Sequence, residues 1–413
     1  MRGSTVNPKT LIEAAIRARS YIQPLRESRT GCSFTWNPLP QPKTNPPSHS
    51  AVDGGSRRID TEARTIFAVK AWGALFNNGI AREESAAYVG SVIPPRHIEE
   101  RIGMYREILE AHTALSIVPD GGILLMDGSI RPVISWWIPV FTRRRGKLYK
   151  SISEAEKSIT KILRGSIDKL EDYLKECLEE RLGGPTCIEA ILKGSPIRPG
   201  SAEMAHRYWK AINEESSDWI ILLEVAEKLY LYKKLLETAW GKGTLPVFIT
   251  KTSRQNNLCG GVNPDVHYII RAEPRREGYT LWDKSLGIGL YEIAGINRGD
   301  ASASDFYPDI AGIRGFYEDR IALVEFYARL KRGGPVLLVG VVLPSEKVER
   351  DPLYANDIAR DVLASLQSIP GDGYPAPLFI AHHKAKITQG EVDSVRGILG
   401  LDAEAPGRYV LEF

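Results

Sequence analysis

AVDGGSRRID, residues 51–60, is the stretch on which the reading of this chain turns. A short apolar step, Ala51-Val52, runs straight into Asp53, two glycines, Ser56, Arg57 and Arg58. Taken alone, Asp-Gly between apolar runs is a hairpin turn, because glycine accepts φ > 0. The pattern returns, however, at ILLMDGSI (123–130), where a short apolar run ends on Asp127 and again leads into Gly and Ser. Each carboxylate is therefore expected at the end of an apolar strand. If the two strands are neighbours, Asp53 and Asp127 meet at one edge of a sheet. Paired hard oxygen ligands there suit Mg²⁺ or Mn²⁺. A pair of such ions ~3.5–4 Å apart is the machinery of in-line phosphodiester displacement. The glycine after each acid leaves room for a phosphate or a backbone to come close.

Working outward, strand-like segments run from residue 50 to 53 and through RTIFAVKAWGAL (64–75). Residues 95–116 carry Ile98, Ile102, Tyr105, Leu109 and His112 on one helical stripe. Strand signals return at LPVFIT (245–250), HYIIRA (267–272), IALVEFYARL (321–330) and PVLLVGVVL (335–343). Helices are expected from Asn356 to Gln367 and from near Pro377. The chain divides into an N-terminal helical segment (1–36), a Pro-rich linker (37–49) and a first core part (50–150). A helical block (151–240) and a second core part with C-terminal helices (241–413) follow. Strands, then helices, then strands again predict a mixed α/β sheet with a large helical insertion.

The 413 residues are 43% hydrophobic and 25% charged, the balance of a globular protein with a sizeable core. No apolar run reaches the length of a membrane span, and MRGSTVNPKT lacks the apolar stretch of a signal peptide. Cys32, Cys177, Cys187 and Cys259 form no CxxC pair, which argues against a zinc ribbon or a disulfide framework and for a reducing, cytoplasmic setting. With 54 basic and 51 acidic residues the net charge is +3, a balance that neither demands nor excludes a nucleic-acid partner.

In order along the chain, D-G-G-S, a helix glutamate at Glu110, LLMDGS, ITKTSR around Lys251 and YPAPL-x-x-AHHKAKI resemble the NurA nuclease family, whose members pair with the hexameric HerA ATPase. The resemblance runs from about Ser50 to Thr388, and the first motif carries one glycine more than the usual D-G-S. It implies an RNase H-like core in which Asp53, Glu110, Asp127 and His382 hold two Mn²⁺ or Mg²⁺ ions. Lys251 and Tyr374 match further active-site positions, the lysine neutralising the scissile phosphate. The activity implied is a 5′-to-3′ DNA exonuclease and single-strand endonuclease in double-strand-break end resection. A homodimer and a HerA-type partner are implied as well.

The residues leave some choices open. Helical periodicity puts Glu110 at the flank of the apolar stripe, where it could face solvent, with Glu107 one turn earlier as the alternative. Of His382 and His383, only one can face the acids. The run Arg143-Arg144-Arg145, after ISWWIPVF (134–141), reads either as a solvated turn or as a phosphate-tracking loop, with Trp136 or Trp137 as a stacking platform. Arg57 and Arg58 have the same two readings and lie nearer the first acid. A non-cutting DNA-binding adaptor of the ATPase, or another RNase H-like nuclease, are the alternatives in function.

Overall fold

The computed structural model describes residues 12–13, 15–18, 32, 34–61, 65–77, 79–92, 97–135, 218–256, 258–259, 263–280, 290–292, 312–350 and 354–401. Its strands are β1 (Trp36–Asn37), β2 (His49–Asp60), β3 (Thr65–Phe76), β4 (Ile80–Ser91), β5 (Gly122–Asp127), β6 (Thr244–Thr250), β7 (Gly278–Thr280), β8 (Leu290–Glu292), β9 (Ile321–Arg329) and β10 (Leu337–Pro344). Its helices are α1 (Ile98–Ser116), α2 (Ile130–Ser135), α3 (Asp218–Gly241), α4 (Asp265–Ala272), α5 (Ile313–Asp319), α6 (Ser345–Arg350), α7 (Tyr354–Ser368), α8 (Ala376–Ala385) and α9 (Gln389–Ile398).

The ten described strands join one sheet in the order β1-β7-β9-β10-β6-β5-β2-β3-β4, with β8 also on β9. The mixed α/β class read from the sequence is what the chain adopts. β2, β3 and β4 form an antiparallel meander. The chain then returns through α1 to β5, parallel to β2, and β6 lies parallel to β5 on its far side. β10 and β9 continue the sheet antiparallel.

Side chains alternate across the pleat and so sort the two faces. Along β3, Phe67, Val69 and Ala71 pack with Ile102, Tyr105 and Leu109 of α1. On the opposite face Trp72, Ala74 and Phe76 join Val362, Leu363 and Leu366 of α7 and Leu378 and Ala381 of α8. Further along that second face, Ile66 and Ala68 meet Ile387 and Val392. Helices cover both faces, which is why β5 and β6 are continuous apolar runs rather than alternating ones.

Three expectations are corrected. HYIIRA is not a strand but most of α4: its β-branched and aromatic residues sit at helical spacing, with Tyr268 and Ile269 buried and Ile270 exposed. The Asp265 carboxylate at its start accepts the backbone N–H groups of Leu258 and Cys259, which fixes the helix entry. Second, Asp53-Gly54-Gly55 is not a turn, nor does Asp53 end a strand; β2 continues to Asp60, paired with β3 throughout. Third, Cys32 and Cys259 form a disulfide with Cα atoms 4.8 Å apart, 227 residues distant in sequence. It ties the segment before β1 to the loop after β6, and both cysteines pack against the cluster that contains Trp36, Leu258 and Ile269. No described helix is long and apolar enough to cross a membrane. Residues 151–217 of the expected helical block lie outside the described residues, and α3 is its C-terminal end.

The glycines of β2 are there for helix contact. A Cβ on Gly54 would lie 2.4 Å from Glu110 Oε1 of α1, and one on Gly55 would lie 2.3 Å from the Ala385 carbonyl oxygen of α8. Helices thus press on both sides of the strand where it passes Asp53. Gly55→Ala should therefore destabilise the protein by about 1–3 kcal/mol in urea unfolding, through overpacking against backbone. Gly103→Ala, on α1 with nothing within 4 Å of the added methyl, should stabilise it by about 0.5–1 kcal/mol.

Candidate metal centre

The parallel pairing of β2 with β5 ends at Val52 opposite Met126, and Asp53 and Asp127 are the next residue on each strand. β5 stops there and β2 does not. The two carboxylates therefore lie side by side at the carboxyl edge of the parallel strands, where open α/β sheets place their ligands. Asp53 is 7% exposed, and its Oδ1 accepts the Gly54 N–H at 2.7 Å.

α8 delivers His382 to this pair. Its Nδ1 is 2.8 Å from Asp53 Oδ2 and 4.0 Å from Asp127 Oδ2. His383 turns away to meet the Phe379 ring edge-on, with centroids 4.4 Å apart. That settles which of the two neighbours reaches the acids. Lys251, directly after β6, lies 3.3 Å from Asp127 Oδ2. Its Nζ sits 4.0 Å from the centre of the Tyr374 ring, a cation–π contact that holds the ammonium over the acids.

Glu110 reaches the same edge from α1, on the other face of the sheet. It is 5% exposed, not solvent-facing, because α3 covers the side of α1 that periodicity left open. Its Oε1 is 3.3 Å from Arg106 Nε. Glu107 instead faces α3 and accepts from Lys228 at 3.2 Å. Arg57 lies exposed on β2 beyond the acids, whereas Arg58 is tied to Asp60 and Glu99 at 2.8 and 2.7 Å. Arg143, Arg144, Arg145, Trp136 and Trp137 lie outside the described residues. The sequence reading did not single out Arg106 or Lys228. The i,i+4 spacing of Arg106 and Glu110 was a signal for the first; nothing in the sequence pointed to the second.

Electrostatically the edge is crowded with acid. Burial, then the Asp127 charge, raises the Asp53 pKa, against the hydrogen bonds from His382 and Gly54. Burial pushes Glu110 to about 8, opposed by Arg106 and reinforced by Asp53, Glu107 and Asp127. Burial and the neighbouring Asp127 carboxylate push the Tyr374 hydroxyl up as well. One ligand atom each from Asp53, Asp127 and His382 lies within 4.8 Å of the others. Two carboxylate oxygens and an imidazole are a donor set that Mn²⁺ or Mg²⁺ accepts, and a divalent cation would relieve the repulsion between the acids. The residues fit such an ion.

The NurA domain family model matches residues 48–387. The chain belongs to the NurA family. A curated relative, the DNA double-strand break repair nuclease NurA of Saccharolobus solfataricus, is 22% identical over 353 residues, covering 85% of this chain and 79% of that protein. The crystal structure of the NurA nuclease from Sulfolobus solfataricus superposes with a TM-score of 0.59 at 18% identity, covering 95% of each chain. A crystal structure of NurA with manganese gives 0.58 at 17% identity, over 94% of this chain and 98% of the other. One of NurA bound to dAMP and manganese gives 0.55 at 16%, over 95% and 96%. The fold of this chain is thus the NurA fold.

The crowding has a measurable cost. Asp53 has a folded-state pKa above its unfolded value, so its ionisation opposes folding once the pH exceeds the ordinary carboxylate range. In chelator at pH 7.5, Asp53→Asn should raise stability. The gain should vanish near pH 3, where the acid is protonated in both states. Urea unfolding at the two pH values measures both.

Proposed function

We propose that this NurA-family chain is a divalent-metal-dependent deoxyribonuclease. It would digest DNA from 5′ ends and cut single strands internally during double-strand-break end resection. The observation that carries the reading is the convergence of Asp53, Asp127 and His382 at the sheet edge. Support comes from relatives whose structures are described with manganese and with dAMP and manganese. The strand run β4-β3-β2-β5-β6, with β2, β5 and β6 parallel and β3 antiparallel between β2 and β4, supports an RNase H-like core. The block 151–240, of which α3 is the end, would be its helical insertion. The protein would act as a homodimer, fed with DNA by a HerA-type hexameric ATPase in the cytoplasm. The Cys32–Cys259 disulfide does not oppose that setting, since intracellular proteins of some hyperthermophiles carry disulfides.

Asp53, Asp127 and His382 would hold the metal, with Glu110 closing the set from the opposite face. When bound, a pair of Mn²⁺ or Mg²⁺ ions supplies Lewis acidity toward the phosphate and lowers the pKa of water. Lys251, steadied by Tyr374, would exchange Asp127 for the scissile phosphate and offset the charge that develops on it. Arg57, exposed on β2 beyond the acids, would hold the incoming strand.

Cleavage of 5′-labelled single- and double-stranded DNA with Mn²⁺, Mg²⁺ or EDTA tests the proposal. Wild type should cut with either metal and not in EDTA. Asp53→Ala and Asp127→Ala should lose activity by on the order of 10³-fold or more, several kcal/mol of transition-state stabilisation. Lys251→Ala should lose ~10²–10³-fold. DNA left intact under every metal with the ATPase present would favour a non-cutting adaptor.

A further inference from the structure

α1 and α3 both lead into parallel strands, and the seam between them is polar where a helix–helix seam is ordinarily apolar. Glu224 accepts from Arg101 at 2.8 and 2.6 Å and from the Tyr105 hydroxyl at 2.5 Å. One turn later Lys228, wholly buried, donates to Glu107 at 3.2 Å. One turn later again Tyr232 is buried beside the Glu110 and Glu107 carboxylates. Residues 224, 228 and 232 follow one stripe of α3 and meet Arg101, Glu107 and Glu110 in the same order along α1.

Arg106 stands between the two glutamates. Its guanidinium is 3.8 Å from Glu107 Oε1 and 3.3 Å from Glu110 Oε1. Side chains of alternating sign therefore run from α3 to the sheet edge: Lys228, Glu107, Arg106, Glu110. Packing alone does not call for this row, because buried ion pairs repay their desolvation poorly and apolar residues of similar volume hold helices as well. Its effect is to decide where Arg106 goes. Glu107 and Glu110 compete for that guanidinium, and Lys228 satisfies Glu107 so that Arg106 is left to Glu110. Glu110 in turn lies against Gly54, next to Asp53.

We infer that Lys228 and Glu107 are positioning residues for the metal centre, acting through Arg106 on Glu110. The inference rests on the proposed role of Glu110 in closing the metal site. It gives α3 a part in the chemistry although the helix contributes no ligand.

The test is Mn²⁺ binding to the intact protein by calorimetry, alongside the Mn²⁺ dependence of cleavage and the Tm. Lys228→Met should raise the Mn²⁺ Kd about tenfold, the scale on which partners that orient a metal ligand act. It should raise the Mn²⁺ concentration for half-maximal cleavage in parallel, with kcat at saturating Mn²⁺ little changed. Lys228→Arg, which keeps the charge, should bind as wild type. Lys228→Met combined with Glu107→Gln should return to within about threefold of wild type, because nothing then draws Arg106 away. Lys228→Gln serves if the methionine variant fails to fold. Lowered Tm with an unchanged Mn²⁺ Kd in the Lys228 variants would overturn the inference and leave a purely structural pair. Asp53→Ala separates the two levels. If wild type binds Mn²⁺ and Asp53→Ala does not, the metal reading stands whatever Lys228 does. If wild type takes up no Mn²⁺, the metal reading fails and this inference with it.

Discussion

Two carboxylates share one sheet edge because a parallel strand pair runs out one residue before them. The last rung of β2 on β5 is Val52 with Met126; the next residue on each strand is an aspartate. Placing two acids there is electrostatically unfavourable, and the surroundings answer that cost. His382 and Lys251 bring positive or hydrogen-bonding groups to Asp53 and Asp127, and Arg106 answers Glu110. The absence of side chains at Gly54 and Gly55 lets α1 and α8 come close enough to deliver Glu110 and His382 from opposite faces. The site is therefore a property of the layered sheet, not of one loop.

The aspartates were legible because each follows a short apolar run, and a run that ends on an acid marks a sheet edge. Lys251 was legible through the family resemblance of ITKTSR, which places it directly after a strand. What the sequence misjudged was the geometry around them. Asp-Gly-Gly was open to reading as a turn because glycine serves turns and close packing alike, and only the neighbouring helices distinguish the two. HYIIRA was read as a strand because a six-residue run of β-formers is too short to show a helical period. The strand and helix at 49–60 and 98–116 came within a few residues or ran longer than expected, as ends set by tertiary contacts do.

The second shortfall concerns pairs made across long separations. Lys228 and Glu107 stand 121 residues apart, and Cys32 and Cys259 stand 227 apart. No local pattern encodes either pairing. Nothing local in either helix shows which charges meet, and it is only the mutual burial of α1 and α3 that turns Arg101, Glu107, Glu224 and Lys228 into fixed counter-charges. The same holds for Glu110, whose flank position on the apolar stripe is buried by a helix that arrives more than a hundred residues later. Arg58 shows the converse: placed beside Asp53 in sequence, it is spent on Asp60 and Glu99, and Arg57 remains the arginine of that pair exposed beyond the acids.

The claim on which all of this depends is that the acid pair is a divalent-metal site. Crystals grown with Mn²⁺ and measured at the manganese absorption edge test it directly. The account predicts an anomalous peak bounded by Asp53, Asp127 and His382, with ligand atoms at roughly 2.0–2.3 Å. A well-ordered site with no peak between those three side chains would contradict it.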